Sequence, residues 1–562
     1  MGEQARLAVS SALEAFYQRE KLHPDKVYLV QPLAGGQVQQ LTWQEVGDQA
    51  RRLATYLQSL QLPAASHIAL ISKNCAHWII ADLAIWMAGH VSVPLYPNLT
   101  ADSVQQILEH SEARAVFVGK LDDWDSMRPG VPQNLPMLGM PLAPEDPQLL
   151  SWQCLLQANE PMQGEPLPDP EQLATIIYTS GTTGMPKGVM QSFASMYYSA
   201  SNCLRLFNIS DEDRLLSYLP LCHVAERQFV EIASLLAGET VFFAESLDTF
   251  VADMQRARPT VFFGVPRIWV KFHMGVIKQV PAGVLDMLLA IPLIGRVVAR
   301  RVLAGLGLDQ IRYAVCGAAP VADTTMAWYR RLGLNIAEVY GMTENCGYSH
   351  LGRPARYKQG WIGLPNPGVE CRLSDEGELQ VRSKATMQGY YKEPEKTAET
   401  LTEDGFLRTG DVGEIDNEGF LRLTGRIKDI FKTSKGKYVA PAPIENLLAA
   451  HSRIEQVCVV GNNLAQPLAL VQLSEAGWQD VREQREQLVK TLVELLDDVN
   501  GKLNRHEHLS CVVVVEDTWG VENGFMTPTL KIKRNVVEAT YQDQFEIWSV
   551  SGHAVVWQQQ SN

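Results

Sequence analysis

The sequence predicts an α/β protein. The expected fold is a large N-terminal domain of two doubly wound sheets plus a small β-barrel-like subdomain, followed by a small mobile α+β C-terminal domain. Three observations predict it. Apolar runs of strand length alternate with stretches of helical period over residues 40–120 and again from about 173 to 340, the pattern of parallel strands joined by crossover helices. Beyond about 360 the runs shorten and Gly, Asp and Glu turns separate them, as in a small antiparallel barrel or sheet. After Gly425 a basic run (Arg426, Lys428, Lys432, Lys435, Lys437) leads into a last helix and strand. A chain of 562 residues is too long for one core, and the division is expected at 1–425 and 426–562.

The elements follow in order. Thr42, with Glu45 three residues on, forms a capping box that starts a helix. Residues 67–71 and 115–118 are apolar enough for buried strands, and 121–170, rich in Pro and Asp, reads as a long connection. Ala174, Ile176, Ile177 and Tyr178 form a strand that precedes a helix over 192–204. Further strands are expected at 214–218, 240–243, 261–265 and 313–316, then at 371–373, 378–381, 413–416 and 420–423. Asp416-Asn-Glu-Gly419 is the hairpin turn between the last two. Residues 511–515 supply a strand of the last domain.

Composition excludes several classes. A formal charge of −14 argues against broad nucleic-acid binding, which needs a basic face. Nine cysteines without a CxxC pair fit reduced thiols in a cytoplasmic protein and not a zinc site. Residues 1–24 lack the apolar core of a signal peptide, and Gly2 lacks the Ser or Thr that a myristoylation signal needs. The greasiest stretch, 284–308, is broken by Asp286, Pro292, Gly295, Arg296, Arg300 and Arg301, too often to span a membrane. It reads as a surface helix over a core. The alternative is an interfacial amphipathic helix, with Leu293 and Val297 beside Arg296 and Arg300, that attaches the protein peripherally to a membrane.

The chemistry starts at residues 178–188, Tyr-Thr-Ser-Gly-Thr-Thr-Gly-Met-Pro-Lys-Gly. Glycines let backbone N–H groups approach a ligand, Thr179, Ser180, Thr182 and Thr183 add hydroxyls, and Lys187 adds a point charge: a phosphate cradle. Gly188 follows Lys187 where a Walker A loop has Ser or Thr, so a nucleotide triphosphate is handled in another way. Glu338-Val-Tyr340-Gly341-Met342-Thr343-Glu344 ends an apolar strand with an aromatic face for a purine and a carboxylate suited to Mg²⁺. Gly317-Ala318-Ala319-Pro320 is a small-residue turn against which adenine could pack. Asp411, in Thr409-Gly-Asp, and Arg426, in Gly-Arg-Ile-Lys-Asp, offer an acceptor and a cation for ribose. Lys531 lies in a turn before a final helix, where a point charge could neutralise developing charge. Taken singly, each has a plain reading as a turn or an exposed lysine.

In this fixed order the motifs resemble the adenylate-forming (AMP-binding) superfamily of acyl-CoA synthetases, luciferases and peptide-synthetase adenylation domains, over about 40–540. The resemblance implies an ATP-dependent reaction in two steps. A carboxylate attacks the α-phosphate of Mg²⁺-bound ATP, and coenzyme A then takes the acyl group and releases AMP. It implies that Thr179, Ser180, Gly181, Thr182, Thr183, Gly184 and Lys187 hold phosphates, and that Thr179 and Glu344 bind Mg²⁺. Gly317, Ala318, Ala319, Pro320, Glu338, Tyr340, Gly341 and Met342 would frame adenine, and Asp411 and Arg426 the ribose, with Lys432 also on the nucleotide side. Thr343 would touch the α-phosphate and Lys531 would stabilise the adenylation transition state. The C-terminal domain would turn about Lys428, bringing the loop with Gly436 and Lys437 to coenzyme A.

Leu219-Pro-Leu-Cys-His-Val-Ala-Glu-Arg227 and residues 431–445 resemble the long-chain fatty acyl branch. There His223 would lie by the substrate carboxylate; its plain alternative is a structural hydrogen bond. Leu530 departs from the usual Gly before the lysine, which leaves Lys533 as a competitor for the role. Two other functions stay open: a ligase for acyl carrier protein, and a non-catalytic binding protein on the same fold. A homodimer is expected from the family alone.

Overall fold

Apolar runs at residues 67–71, 91–95 and 115–118 carry almost no polar atoms, so each strand must be covered on both faces. A computed structural model describes residues 9–179, 186–317, 323–353, 356–527 and 529–558. It places these runs at the centre of an eight-stranded sheet. In sheet order the strands are Gly389–Tyr390, Lys187–Ser192, Leu173–Thr179, Val91–Leu95, His67–Ile71, Ala115–Val118, Met137–Gly139 and Leu150–Ser151. From Leu173–Thr179 onward every pairing is parallel, and the first two strands run antiparallel to their neighbours. The crossover helix Ala76–Met87 is buried on every side. Thr42 caps the helix Trp43–Ser59: its Oγ1 accepts from Glu45 N (3.2 Å), while Glu45 Oε2 accepts from Thr42 N (2.8 Å).

A second layer consists of two sheets. One orders Arg214–Ser217, Thr240–Phe243, Val27–Pro32 and Val38–Thr42; the other orders Val261–Gly264, Tyr313–Cys316, Ile336–Tyr340, His350–Leu351 and Leu364–Pro365. Their edges are tied where Thr260 N donates to Arg214 O (3.0 Å) and Arg214 N donates to Thr260 Oγ1 (2.9 Å). The antiparallel subdomain orders Glu370–Leu373, Glu378–Arg382, Leu407–Ile415 and Leu421–Arg426, with the hairpin turn held by Asp416 N donating to Phe420 O (3.1 Å). The C-terminal sheet orders Ile454–Val460, Leu468–Leu473, Val512–Val515 and Val555–Trp557. Helices Pro441–Ala449, Glu475–Asn500 and Arg534–Ser549 accompany it. An ion pair between Arg267 and Glu455 links the large domain to this sheet.

Three readings are corrected. Residues 121–170 are not only a connection: they add the edge strands Met137–Gly139 and Leu150–Ser151 and the helices Trp124–Met127 and Trp152–Ala158. Each is too short to show a period, and single buried anchors such as Trp124 and Trp152 fix them. The strand expected at 413–416 begins at Leu407, because Gly410 and Gly413 obscure its alternation. The stretch 284–308 forms two helices, Ala282–Ala290 and Ile294–Gly305, since Pro292 cannot continue a helix. The strand Leu421–Arg426 lies at the expected domain boundary, with Arg426 paired to Asp411 across the ladder.

Buried polar groups fasten the segment 217–231 between the layers. Arg227, wholly buried, pairs with Asp82 and with Glu231 (3.3 Å) and donates to Thr175 Oγ1 (3.0 Å) and Ser92 Oγ (2.9 Å). The rings of Trp78 and Trp86 flank it at 5.3 and 5.5 Å. Asn74 Nδ2 donates to Ser217 Oγ (2.7 Å), and its Oδ1 accepts from Leu221 N (3.0 Å). Glu226 Oε1 accepts from Ser217 Oγ and Tyr218 N, both at 2.9 Å. Burial pushes the Glu226 carboxyl up to about 8.

The folded value lies above the unfolded one, so Glu226 contributes stability fully below its unfolded pKa, and that contribution is lost as pH rises through about 8. Glu226→Gln keeps an acceptor oxygen and cannot ionise. The wild type is expected to lose stability between about pH 5 and pH 9, and the variant to lose less by a few kcal/mol at most. Melting temperatures across that range check it; parallel curves for the two proteins would contradict it.

Candidate active site

The site assembles where the antiparallel subdomain meets the end of the strand Ile336–Tyr340. Asp411 and Arg426 face each other across neighbouring strands. Arg426 Nε donates to Asp411 Oδ1 (2.7 Å) and Tyr340 Oη donates to Oδ2 (2.6 Å), while Thr409 Oγ1 accepts from Asp411 N (3.1 Å). Burial, then the Asp411 charge, raises the Tyr340 hydroxyl well above its ordinary range, so it stays a donor. The next residue must be small: a Cβ on Gly341 would lie 2.3 Å from the Gly347 carbonyl carbon. Gly317, just after the neighbouring strand, is also crowded, with Val339 Cγ2 2.7 Å from where a Cβ would be. Glu338 pairs in register with Cys316, and its carbonyl accepts from Gly352 N (2.7 Å).

Beyond Gly341 the chain turns through a short 3₁₀ segment, Thr343–Asn345. Asn345 Oδ1 accepts from Met342 N (2.9 Å), and the carbonyl of buried Thr343 accepts from Gln191 Nε2 (2.7 Å). Glu344 is 9% exposed. Its Oε1 accepts from Tyr390 Oη (2.8 Å), and Lys187 Nζ lies 4.9 Å from the centre of the same Tyr390 ring. Tyr390 therefore links the cradle lysine to the carboxylate. Burial holds the Lys187 ammonium below the usual lysine range; Lys396 and Lys428 push it the same way and Glu344 opposes them. Thr179 pairs in register with Lys187 at the ends of their strands.

Lys531 reaches this cluster from the C-terminal domain. Burial first, then the Arg426 charge, lowers its ammonium, while Asp411 and Glu344 act in the opposite direction. His223 belongs to the same group. Burial and then Lys531 depress its imidazole to about 4, so it is neutral near pH 7. Its Nδ1 accepts from Ala225 N (3.2 Å), which leaves the proton on Nε2. The structural hydrogen bond is present, since Nδ1 caps the helix Val224–Glu226, and Nε2 remains a donor.

The two competing lysines are placed differently. Lys533 N-caps the helix Arg534–Ser549, whereas Lys531 carries the electrostatic ties to Asp411, Glu344 and Arg426. Leu530 has φ +59°, a conformation that glycine adopts freely and leucine only with strain. The position thus has the geometry that glycine would serve, filled by leucine.

Other expected site residues stand apart. Gly436 (φ +76°) makes the turn in which Thr433 N donates to Lys437 O (2.8 Å). Lys432 Nζ lies 5.5 Å from the Tyr438 ring. Among the described residues no bond joins Lys432, Gly436 or Lys437 to the Asp411–Lys531 group. Ser180, Gly181, Thr182, Thr183, Gly184, Ala318, Ala319 and Pro320 lie outside the described residues. Sequence reasoning missed Tyr390, Gln191 and Asn74, each a single polar residue in an apolar or mixed run. A broad surface hollow lined by Thr55, Gln58 and residues 160–166 shares no residue with the cluster.

Residues 16–391 match the profile of the AMP-binding enzymes, and residues 428–548 match the AMP-binding enzyme C-terminal domain. The chain belongs to the AMP-binding enzyme family. It is 29% identical to the long-chain-fatty-acid–CoA ligase FadD15 of Mycobacterium bovis, over 94% of this chain and 95% of that one. It is 30% identical to the peroxisomal long chain acyl-CoA synthetase 6 of Arabidopsis thaliana, over 89% of this chain and 80% of that one. The fold is shared with the crystal structure of the anthranilate CoA ligase AuaEII in complex with anthranoyl-AMP (TM-score 0.76, 19% identity, 94% of this chain and 97% of that one). It is also shared with the o-succinylbenzoate coenzyme A synthetase of Bacillus subtilis in complex with AMP (TM-score 0.72, 22% identity, 93% and 97%).

Within this family frame, Tyr390 is the test of how the acidic and basic groups are held. Tyr390→Phe keeps the ring beneath Lys187 and removes the donor to Glu344. ATP affinity, measured by calorimetry, is expected to fall about tenfold, the size of one hydrogen bond to a charged group, with little change in melting temperature. Unchanged ATP affinity would contradict the linking role.

Proposed function

We propose that the chain is an AMP-forming long-chain fatty acid–CoA ligase, with the roles assigned to its residues as follows. The observation that carries the reading is the convergence of Lys531 with Arg426, Asp411, Glu344 and His223. It supports an adenylation pose, with the C-terminal lysine beside the nucleotide clamp. In the first half-reaction a fatty acid carboxylate attacks the α-phosphorus of ATP, and the bond to the bridging oxygen breaks to release pyrophosphate. Attack brings anionic groups together, and fixed cations in a desolvated cleft are the means of stabilising that crowding. Lys531 supplies one and Lys187 another, on the side where pyrophosphate leaves. Neutral His223 donates through Nε2 to the carboxylate without neutralising it, which orients the nucleophile and keeps its charge. Tyr340, Asp411 and Arg426 fix the ribose, and positioning of the reacting oxygens does the remainder of the work.

Mg²⁺ enters with ATP. It is commonly held by one or two carboxylates and by phosphate oxygens. Glu344 fits that role: Tyr390 engages one oxygen, and the other has no hydrogen-bond donor among the described residues. Thr179 would be its protein partner, and the ion would shield the phosphates from the incoming carboxylate.

In the second half-reaction the thiol of coenzyme A attacks the acyl carbon and AMP leaves with the electron pair. The domain division at 425/426, with Lys428 as hinge and Gly436 and Lys437 on the coenzyme A side, belongs to this step; the exposed turn at Gly436 supports it. The acyl acceptor is coenzyme A, in keeping with the names of the relatives, and not a carrier protein. We place the enzyme in the cytoplasm as a homodimer, meeting membranes only peripherally; among the described residues no helix is long and apolar enough to cross one.

AMP release with acids of increasing chain length tests the function. Release that requires coenzyme A and grows with chain length is expected; none across the panel overturns the enzyme reading. Lys531→Ala is expected to slow acyl-adenylate formation on the order of a hundredfold to a thousandfold and to spare thioester formation from supplied acyl-adenylate. Equal loss in both half-reactions would contradict the assigned role.

A further inference from the structure

We propose that the helical hairpin 282–305 is a docking surface for a lipid bilayer that carries anionic headgroups. The inference deepens the proposed function by naming where an enzyme for water-poor acids meets their source, and it rests on that reading only for its purpose. The surface stands on its own observations.

One side of the hairpin is fully used. Leu285 and Ala299 are buried in the core cluster around Trp269, Tyr329 and Leu308. A Cβ on Gly295 would lie 2.4 Å from Leu289 O, so the helices pack closely at their junction. The hairpin is therefore held firmly against the large domain.

The other side has no partner. Seven of the nineteen exposed large apolar side chains among the described residues lie between positions 274 and 297. The most exposed are at the tip: Leu293 at 73%, Val297 at 66% and Met287 at 60%. Leu293 also has φ +70°, a strained conformation for a branched side chain that persists only where surrounding structure imposes it. A strained leucine turned into water at the tip of a rigid hairpin is the reverse of what core formation favours, and it suits an apolar medium beyond the protein surface.

Charge selects the medium. The chain carries −14 overall. Residues 266–305 nevertheless hold six Lys or Arg against one acid, Asp286, and Asp286 is engaged by Arg331 (2.7 Å). Lys271, Lys278, Arg296, Arg300 and Arg301 are exposed and have no ion-pair partner among the described residues. At the helical repeat Arg296, Arg300 and Arg301 share an arc with Leu293 and Val297, opposite the buried Gly295 and Ala299. Arg300 lies about 10 Å along the axis from the Leu293 tip. Apolar residues at the tip with cations one to two turns behind fit insertion to the acyl boundary, with guanidinium groups at headgroup level.

Co-sedimentation of the full chain with vesicles tests the surface. One set is phosphatidylcholine alone, and the other is equimolar phosphatidylcholine and phosphatidylglycerol. Binding to the anionic vesicles only, weakened by salt, is expected. The double variant Leu293→Asp with Val297→Asp should abolish it. The triple variant Arg296→Glu, Arg300→Glu and Arg301→Glu should weaken it by about tenfold or more. These positions are exposed, and melting temperatures confirm that the variants fold. Equal binding to neutral vesicles, binding that survives both variants, or no binding together with self-association through Leu293 would each overturn the proposal. AMP release with coenzyme A across the same panel of acids is measured in parallel, without vesicles. Its absence would sink the ligase reading and leave the surface standing, and lost vesicle binding with intact AMP release would do the reverse.

Discussion

The cleft depends on one carboxylate held from two sides. Asp411 sits on a strand that must reach its register partner Arg426, and that register places the guanidinium and the Tyr340 hydroxyl on opposite oxygens of the same group. The pairing fixes the end of the strand Ile336–Tyr340 relative to the antiparallel subdomain. It also holds the stretch where the chain passes toward the C-terminal domain. Lys531 returns from that domain to the same charges. Without Asp411 the positive groups Arg426 and Lys531 would face each other with less compensation, and the approach of the two domains would lose its main electrostatic reason.

Desolvation then assigns states to the remaining groups. His223 is kept neutral and Glu226 is pushed toward its protonated form, both by burial first. The segment that carries them is tied on either side, at Leu221 to Asn74 and at Arg227 to Asp82. In the proposed roles, the acid side of the cleft has the neutral His223 and the nucleotide side the charged groups Arg426, Asp411 and Lys531. This division suits a reaction in which an anion attacks a phosphorus that is already surrounded by negative charge.

Much of the fold was legible in the sequence. The strands His67–Ile71 and Ala115–Val118 and the Thr42 capping box stand where apolar run and cap chemistry put them. Short elements were not legible, because three residues such as Met137–Gly139 have no period and are fixed by what they pack on. The motifs singled out Tyr340, Glu344, Asp411, Arg426 and Lys531, which the fold brings near one another, but not what holds them. Tyr390 is one aromatic among many in sequence, and only the fold brings its hydroxyl to Glu344 and its ring to Lys187. Leu530 looked like a departure from pattern; its positive φ shows that the backbone requirement persists although the residue has changed.

The central claim is that the C-terminal domain occupies an adenylation pose from which it must move to complete the reaction. The ion pair between Arg267 and Glu455 spans the two domains in this pose. A direct measurement replaces both with cysteine and the exposed Cys154 with serine, joins the pair with a bismaleimide, and follows both half-reactions in a single turnover. The account predicts that the locked enzyme still forms acyl-adenylate and no longer transfers the acyl group to coenzyme A. Thioester formation at the unlocked rate, or loss of acyl-adenylate formation on locking, would contradict it.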